Sequence, residues 1–162
     1  RNGRVAVLPT DTVYGVAADP RQPDAVRRLF ALKGRPETNP LPLLVSSIEH
    51  ARRCAHEWPA GAERLAQTFW PGALTIVLPK APWIDDLVSA GQPTVGVRQP
   101  DHPIAQALLE AFGGPIACTS ANRSGEAPAM DLADLPSAFS TLTCPASMAE
   151  DSAGLRRRRS WH

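Results

Sequence analysis

Four short stretches of this chain combine residue types that can grip an anion or move charge. Residues 9–15 read Pro9-Thr10-Asp11-Thr12-Val13-Tyr14-Gly15: two hydroxyls, a carboxylate, a phenol and a glycine, directly after the apolar run Val5-Ala6-Val7-Leu8. Lys33 and Arg35 are two cations separated by one glycine, and Asn39 follows four residues after Arg35. Thr94 and Arg98 bracket the run Thr94-Val95-Gly96-Val97-Arg98. Ser120-Ala121-Asn122 leads into Ser124-Gly125. A lysine point charge beside an arginine fork suits a polyphosphate, with Asn39 adding an acceptor and two donors. Arg98 at a strand end suits a carboxylate, which a guanidinium grips through two parallel N–H bonds. A loop of small residues with free backbone N–H groups can form an anion nest. Each stretch also has a structural reading: a turn, cations at a helix C-terminus, a solvated strand end, a plain loop. Asp11 and Asp101 are the carboxylates best placed for a metal, and both also stand where helix or turn caps stand.

These groups need a frame, and the apolar pattern supplies an alternating one. Val5 to Leu8 reads as a buried strand that ends on the first polar stretch. Pro23 to Leu32 reads as a helix capped by Asp24, with Ala25, Val26, Leu29, Phe30 and Leu32 on one stripe and Gly34 as its C-cap. Leu41 to Val45 is a short strand. Ser47 opens a helix over Ile48 to Glu57, and Ala62 to Phe69 is another, stopped by Pro71-Gly72. Strands follow at Ala73 to Leu78 and Thr94 to Arg98, then a helix from His102 to Phe112 and a strand from Pro115 to Thr119. Asp131 to Phe139 is a weaker helix. The class is α/β, one domain with a twisted mixed parallel and antiparallel sheet flanked by helices. In such sheets ligands collect at strand ends, where all four stretches stand. The domain is expected over 1–139, with 140–162 a divergent or truncated tail that is poorly ordered.

Composition removes several classes of function. The formal charge is +1, but Arg156 to Arg159 supply four positive charges, so residues 1–155 carry −3. Such a body lacks the broad basic surface of a nonspecific nucleic-acid binder, and only the arginine tail offers a weak tRNA or double-stranded RNA contact. The three cysteines lie far apart and the four histidines show no metal spacing, which points to reduced thiols in a cytoplasmic protein. No apolar run reaches the length of a membrane span and no signal peptide is visible. The start at Arg1 suggests processing or trimming. There is no Walker loop, no Gly-x-Gly-x-x-Gly and no Gly-x-Ser-x-Gly elbow. Positioning groups abound and nucleophiles are scarce. That balance favours transfer to or from a nucleotide by alignment and charge stabilisation, with a carboxylate-bearing second substrate.

Read together, the stretches resemble the threonylcarbamoyl-AMP synthases, the YrdC family. The matching segments are PTDTVYGVAAD (9–19), ALKGRPETNPLPLLV (31–45), FWPGALTIVL (69–78), TVGVRQPDHP (94–103) and PIACTSANRSGEAP (115–128). The Lys-x-Arg and Ser-x-Asn pairs are that family's signature, and the five segments stand in its order and spacing. The resemblance implies a YrdC-like fold that joins L-threonine, bicarbonate and ATP to give threonylcarbamoyl-adenylate and pyrophosphate. Partner proteins then pass the threonylcarbamoyl group to an adenosine in tRNA. It implies that Thr12, Arg98 and Ser120 hold L-threonine, and that Arg35, Asn39, Thr94 and Asn122 hold ATP. Lys33 and Arg35 would face the phosphates and neutralise the leaving pyrophosphate, with Mg²⁺ on ATP. Tyr14 could either pack or line the site. Some members carry a histidine that meets threonine where this chain has Leu44, Met130 replaces a polar nucleotide contact, and the family's closing Ser-Thr-Val-Val-Asp-like strand is not found. The alternatives are a carbamoyl-adenylate domain like that of hydrogenase maturation proteins, and a noncatalytic RNA-binding module.

Overall fold

The structure opens on the expected strand at Val5 paired with a second strand that the apolar pattern did not reveal. In the computed structural model, which describes residues 4–34, 36–140 and 142, strand β1 (Val5–Pro9) turns through residues 10–13 and returns as β2 (Tyr14–Ala18). The two pair antiparallel from Val5↔Ala18 to Pro9↔Tyr14. No glycine makes the turn. The Thr10 hydroxyl does: it donates to the Val13 carbonyl at 2.6 Å and accepts from the Val13 N–H at 3.2 Å and the Thr12 N–H at 3.3 Å. The polar stretch after β1 is thus a hairpin turn, with Tyr14 and Gly15 already inside the next strand.

Helix α1 (Pro23–Lys33) follows, with Gly34 at φ 58° as its left-handed cap. Pro23 begins it, since a missing N–H is harmless there. Gln22 rather than Asp24 is the N-cap residue and makes no side-chain cap bond. Asp24 instead meets Arg27 on the exposed surface at 3.4 Å. Next come β3 (Leu43–Leu44), α2 (Ile48–Arg52), α3 (Ala60–Phe69), β4 (Ile76–Pro79) and α4 (Asp86–Ser89). Then come β5 (Thr94–Arg98), α5 (Pro103–Phe112), β6 (Ile116–Ser120), a 3₁₀ turn over Leu132–Asp134 and α6 (Ser137–Ser140). Helix α2 stops at Arg52, short of Glu57, because the next residues pair elsewhere. His56 N–H donates to the Pro79 carbonyl at 2.9 Å and Ala55 bridges to Lys80. Strand β4 starts late because residue 74 is held off the ladder, its carbonyl accepting from Trp70 Nε1 at 2.7 Å. The arginine tail and the expected disorder of 140–162 fall almost wholly outside the described residues.

The sheet runs β1-β2-β6-β3-β5-β4, a mixed sheet as expected: β3 and β5 are parallel and the other neighbours antiparallel. Alternation divides its two faces. Val7, Val16, Leu43, Val97 and Ala117 face the main core, with Val26 and Leu29 of α1. Leu8, Ala17, Leu44, Ile116 and Cys118 face the other way, against Ala105 and Leu109 of α5.

The register fixes a second row of residues on that latter face. Leu44 stands beside Arg98 and Ile116, and Ser120 beside Gly15. Gly15 is required by close approach: a Cβ there would lie 2.5 Å from Cys118 Sγ. Gly15→Ala is expected to overpack this row and lower stability by about 1–3 kcal/mol, a Tm fall of about 2–12 °C. Adding Cys118→Ala should return part of the loss in a thermal melt. A Gly15→Ala protein melting at the wild-type temperature would show that the row yields freely.

Candidate active site

Where α5 leaves the sheet face uncovered, a cavity of about 110 Å³ opens. Its walls include Thr10 and Thr12 from the hairpin turn, Leu44 from β3, Arg98 from β5, and Cys118 and Ser120 from β6. The three residues expected to hold threonine, Thr12, Arg98 and Ser120, therefore share one wall system although Thr12 lies 86 positions from Arg98 in the chain. The turn crosses the sheet to get there: Arg98 Nη1 donates to Thr12 Oγ1 at 3.3 Å and Nη2 to Asp11 Oδ1 at 2.5 Å. Nε donates to the Gly72 carbonyl at 2.9 Å. Three bonds from three directions fix the guanidinium plane, so Arg98 is held in place rather than solvated at a strand end.

Lys33 is also diverted from the bland role. A cation ending a helix should lie over the last carbonyls in solvent. Lys33 is instead 2% exposed and turns its ammonium into the loop after β6. Nζ donates to the Ser120 carbonyl, to Ser120 Oγ at 3.3 Å and to Asn122 Oδ1 at 3.0 Å. The Lys33 carbonyl meanwhile accepts from the Ser124 N–H at 2.9 Å. Asn122 Oδ1 accepts also from Ser120 Oγ at 2.5 Å, and its Nδ2 donates to the Arg123 and Glu126 carbonyls at 3.1 and 2.6 Å. Lys33, Ser120 and Asn122 are thus one hydrogen-bonded hub at the rim of the cavity. Gly34 makes this possible, because its left-handed backbone turns the chain sharply just after the lysine.

The remaining expected residues are placed less tightly. Thr94 is half-buried on β5, four residues before Arg98, and does not line the cavity. Asn39 is exposed in the loop before β3, and Arg35 lies outside the described residues. Tyr14 packs in the main core, 4% exposed. Its backbone joins the site instead: Tyr14 O accepts from the Ala121 N–H at 2.7 Å and Tyr14 N–H donates to the Ala129 carbonyl at 3.0 Å. Met130 and Asp101 are exposed. Leu44 lines the cavity, so the position at which the resemblance puts a histidine in some members is apolar here.

Sequence reasoning missed two contributors and gave a third another role. The Gly72 carbonyl orients Arg98, and the segment FWPGALTIVL that carries it signalled importance without naming a role. Asp11, singled out as a carboxylate placed for a metal, is the acidic partner of that arginine. Cys118 lies on the floor, where burial pushes its thiol up to about 12 while Arg98 and Lys33 pull the other way. A neutral thiol does not repel an anion, which suits Cys118 as cavity lining. Among the described residues no group of three or more His, Cys, Asp or Glu could hold a metal ion, and no helix is long and apolar enough to cross a membrane.

Residues 1–144 match the Sua5/YciO/YrdC family model, described as telomere recombination. The chain belongs to this family. It is 46% identical over 126 residues to the threonylcarbamoyl-AMP synthase of Pyrococcus abyssi, which covers 78% of this chain and 37% of that protein. It is 43% identical over 141 residues to the threonylcarbamoyl-AMP synthase of Halorhodospira halophila, covering 87% of this chain and 74% of the relative. Among solved structures, P. abyssi Sua5 complexed with L-threonine superposes with a TM-score of 0.76 at 45% identity, over 78% of this chain and 37% of that one. Escherichia coli YciO superposes with a TM-score of 0.70 at 29% identity, over 78% and 61%. Full-length HypF, at 22% identity, shares the fold. The Sua5/YciO/YrdC chain described here thus spans little more than a third of the Pyrococcus protein.

Proposed function

We propose that this chain carries the synthase domain of a threonylcarbamoyl-AMP synthase and makes threonylcarbamoyl-AMP and pyrophosphate from L-threonine, bicarbonate and ATP, a nucleotidyl transfer. The observation that carries the reading is the convergence of Thr12, Arg98 and Ser120 on one cavity. It is supported by the likeness to a Sua5 complexed with L-threonine.

Among the described residues Arg98 is the only arginine of the cavity wall, and it would take the threonine carboxylate, with Thr12 and Ser120 offering hydroxyls beside it. The threonine amine attacks bicarbonate carbon, and loss of water leaves a carbamate. A carbamate oxygen then attacks the α-phosphorus of ATP, and the bond to the β-phosphate oxygen breaks to release pyrophosphate. Lys33 and Arg35 would offset the charge on the departing phosphates, and Asn39, Thr94 and Asn122 would hold the nucleotide. No side-chain nucleophile is needed, and alignment of bound reactants is worth about 7–11 kcal/mol when the geometry is good. Mg²⁺ would bind through the phosphate oxygens of ATP, since the described residues offer no carboxylate cage. The product would pass, in the cytosol, to proteins that modify tRNA.

Pyrophosphate release tests the reading. It is expected only when ATP, L-threonine and bicarbonate are all present. Release with ATP alone, or release driven by carbamoyl phosphate in place of threonine, would assign the site to a different adenylate chemistry.

A further inference from the structure

The threonine reading leaves one partner of Arg98 unexplained. Nε is committed to the Gly72 carbonyl, while Nη2, which a bidentate carboxylate would need, donates to Asp11 Oδ1 at 2.5 Å. A carboxylate is therefore already on the fork, and it is the protein's own. The pair is shielded, with side chains 14% and 18% exposed. Asp11 rides on the turn of residues 10–13, where Asp11 and Thr12 reach the surface, so the carboxylate has solvent beside it when it leaves the guanidinium.

A substrate carboxylate and Asp11 require the same cation. With Asp11 in place the pair is net neutral. A second carboxylate on that guanidinium would meet like charge at hydrogen-bond range, in partly desolvated surroundings where repulsion is strong. We infer that Asp11 is an internal competitor for Arg98: on binding, the amino acid displaces the Asp11 carboxylate from the guanidinium, while Thr12 stays in the cavity wall. The inference rests on the amino-acid reading of the cavity. It makes Asp11 a determinant of selectivity: a ligand lacking a carboxylate gains too little from Arg98 to displace it.

Calorimetric titration of L-threonine and L-threoninol into wild type, Asp11→Asn, Asp11→Ala and Arg98→Ala tests this. Asparagine keeps the shape of Asp11 and removes its charge. Threonine is expected to bind both Asp11 variants about fivefold to tenfold more tightly than wild type, with no such gain for threoninol. The sign is decisive, because a damaged turn weakens binding. Equal or weaker threonine binding by Asp11→Asn overturns the inference, and if Arg98→Ala has lost binding the amino-acid site itself survives. Threonine binding by Arg98→Ala at the wild-type level, or no threonine binding by any of the four proteins, overturns the site and the inference together.

Discussion

L-Threonine binding is expected to disappear from calorimetric titrations when Arg98 is replaced by alanine. Among the described residues its guanidinium is the cation that lines the cavity, held by Gly72, Thr12 and Asp11. Without it a bound carboxylate would be desolvated with only hydroxyls beside it. Truncating one side of a hydrogen-bonded charge pair removes about 2–5 kcal/mol, or about thirtyfold to several thousandfold in Kd. Arg98→Lys should fall between, since it keeps the charge and loses the fork. The fold should tolerate both: Asp11 and Thr12 lie at the surface and can hydrate, and Val97 keeps the strand in the core. Threonine affinity in Arg98→Ala within twofold of wild type would remove the carboxylate site from this arginine.

Lys33→Met is expected to reduce turnover far more than stability. Three acceptors surround Nζ, yet two of them keep another donor: the Ser120 carbonyl accepts from the Asn122 N–H at 3.0 Å, and Asn122 Oδ1 accepts from Ser120 Oγ. Methionine also removes a buried charge whose desolvation opposed folding, so the stability loss should stay at about 1–2 kcal/mol. Catalysis has no such compensation. Ser120 and Asn122 lose the shared cation that orients them, and on the proposed reading the phosphates lose a nearby positive charge. Removing one preorganised electrostatic group lowers kcat about 10²–10³-fold. Pyrophosphate release beside a thermal melt separates the two effects. Turnover within threefold of wild type would reduce Lys33 to a structural tie.

What could be read from the sequence was local. Thr94 to Arg98 forms the strand its alternation implies, and Gly34 caps α1 as its position after Lys33 suggests. Strands alternating with helices mark the α/β class, and β4 and β5, which could pair in either sense, pair antiparallel. Strand β2 was hidden because Tyr14 to Ala18 is buried throughout, so the period of two that marks a half-exposed strand is missing. Small residues and a preceding Thr-Asp-Thr made the segment look like a loop. Helix α4 is a single short turn capped by Asp85, whose carboxylate accepts from the Leu87 N–H at 2.8 Å, too brief for any periodicity. The site was legible as a set of residue types and as a family pattern. Its wiring was not. Nothing in spacing tells that Lys33 reaches a loop 87 residues away, or that Arg98 meets Asp11 across the same span. Those contacts depend on strand order, which local sequence does not encode.

Strand order also dictates when the site can exist during synthesis. Strand β2 hydrogen-bonds on one side to β1, its immediate predecessor, and on the other to β6, residue 18 opposite 117 and residue 15 opposite 120. A ribosome making about 5–20 residues per second therefore leaves one edge of β2 without its native neighbour for roughly 5–20 seconds. The exposed segment is apolar on both faces, the kind of edge that recruits foreign strands. Strand β6, the last strand among the described residues, covers that edge and in the same step delivers Ser120 to the hub held by Lys33. Closure of the sheet and assembly of the cavity wall are one event on the folding path.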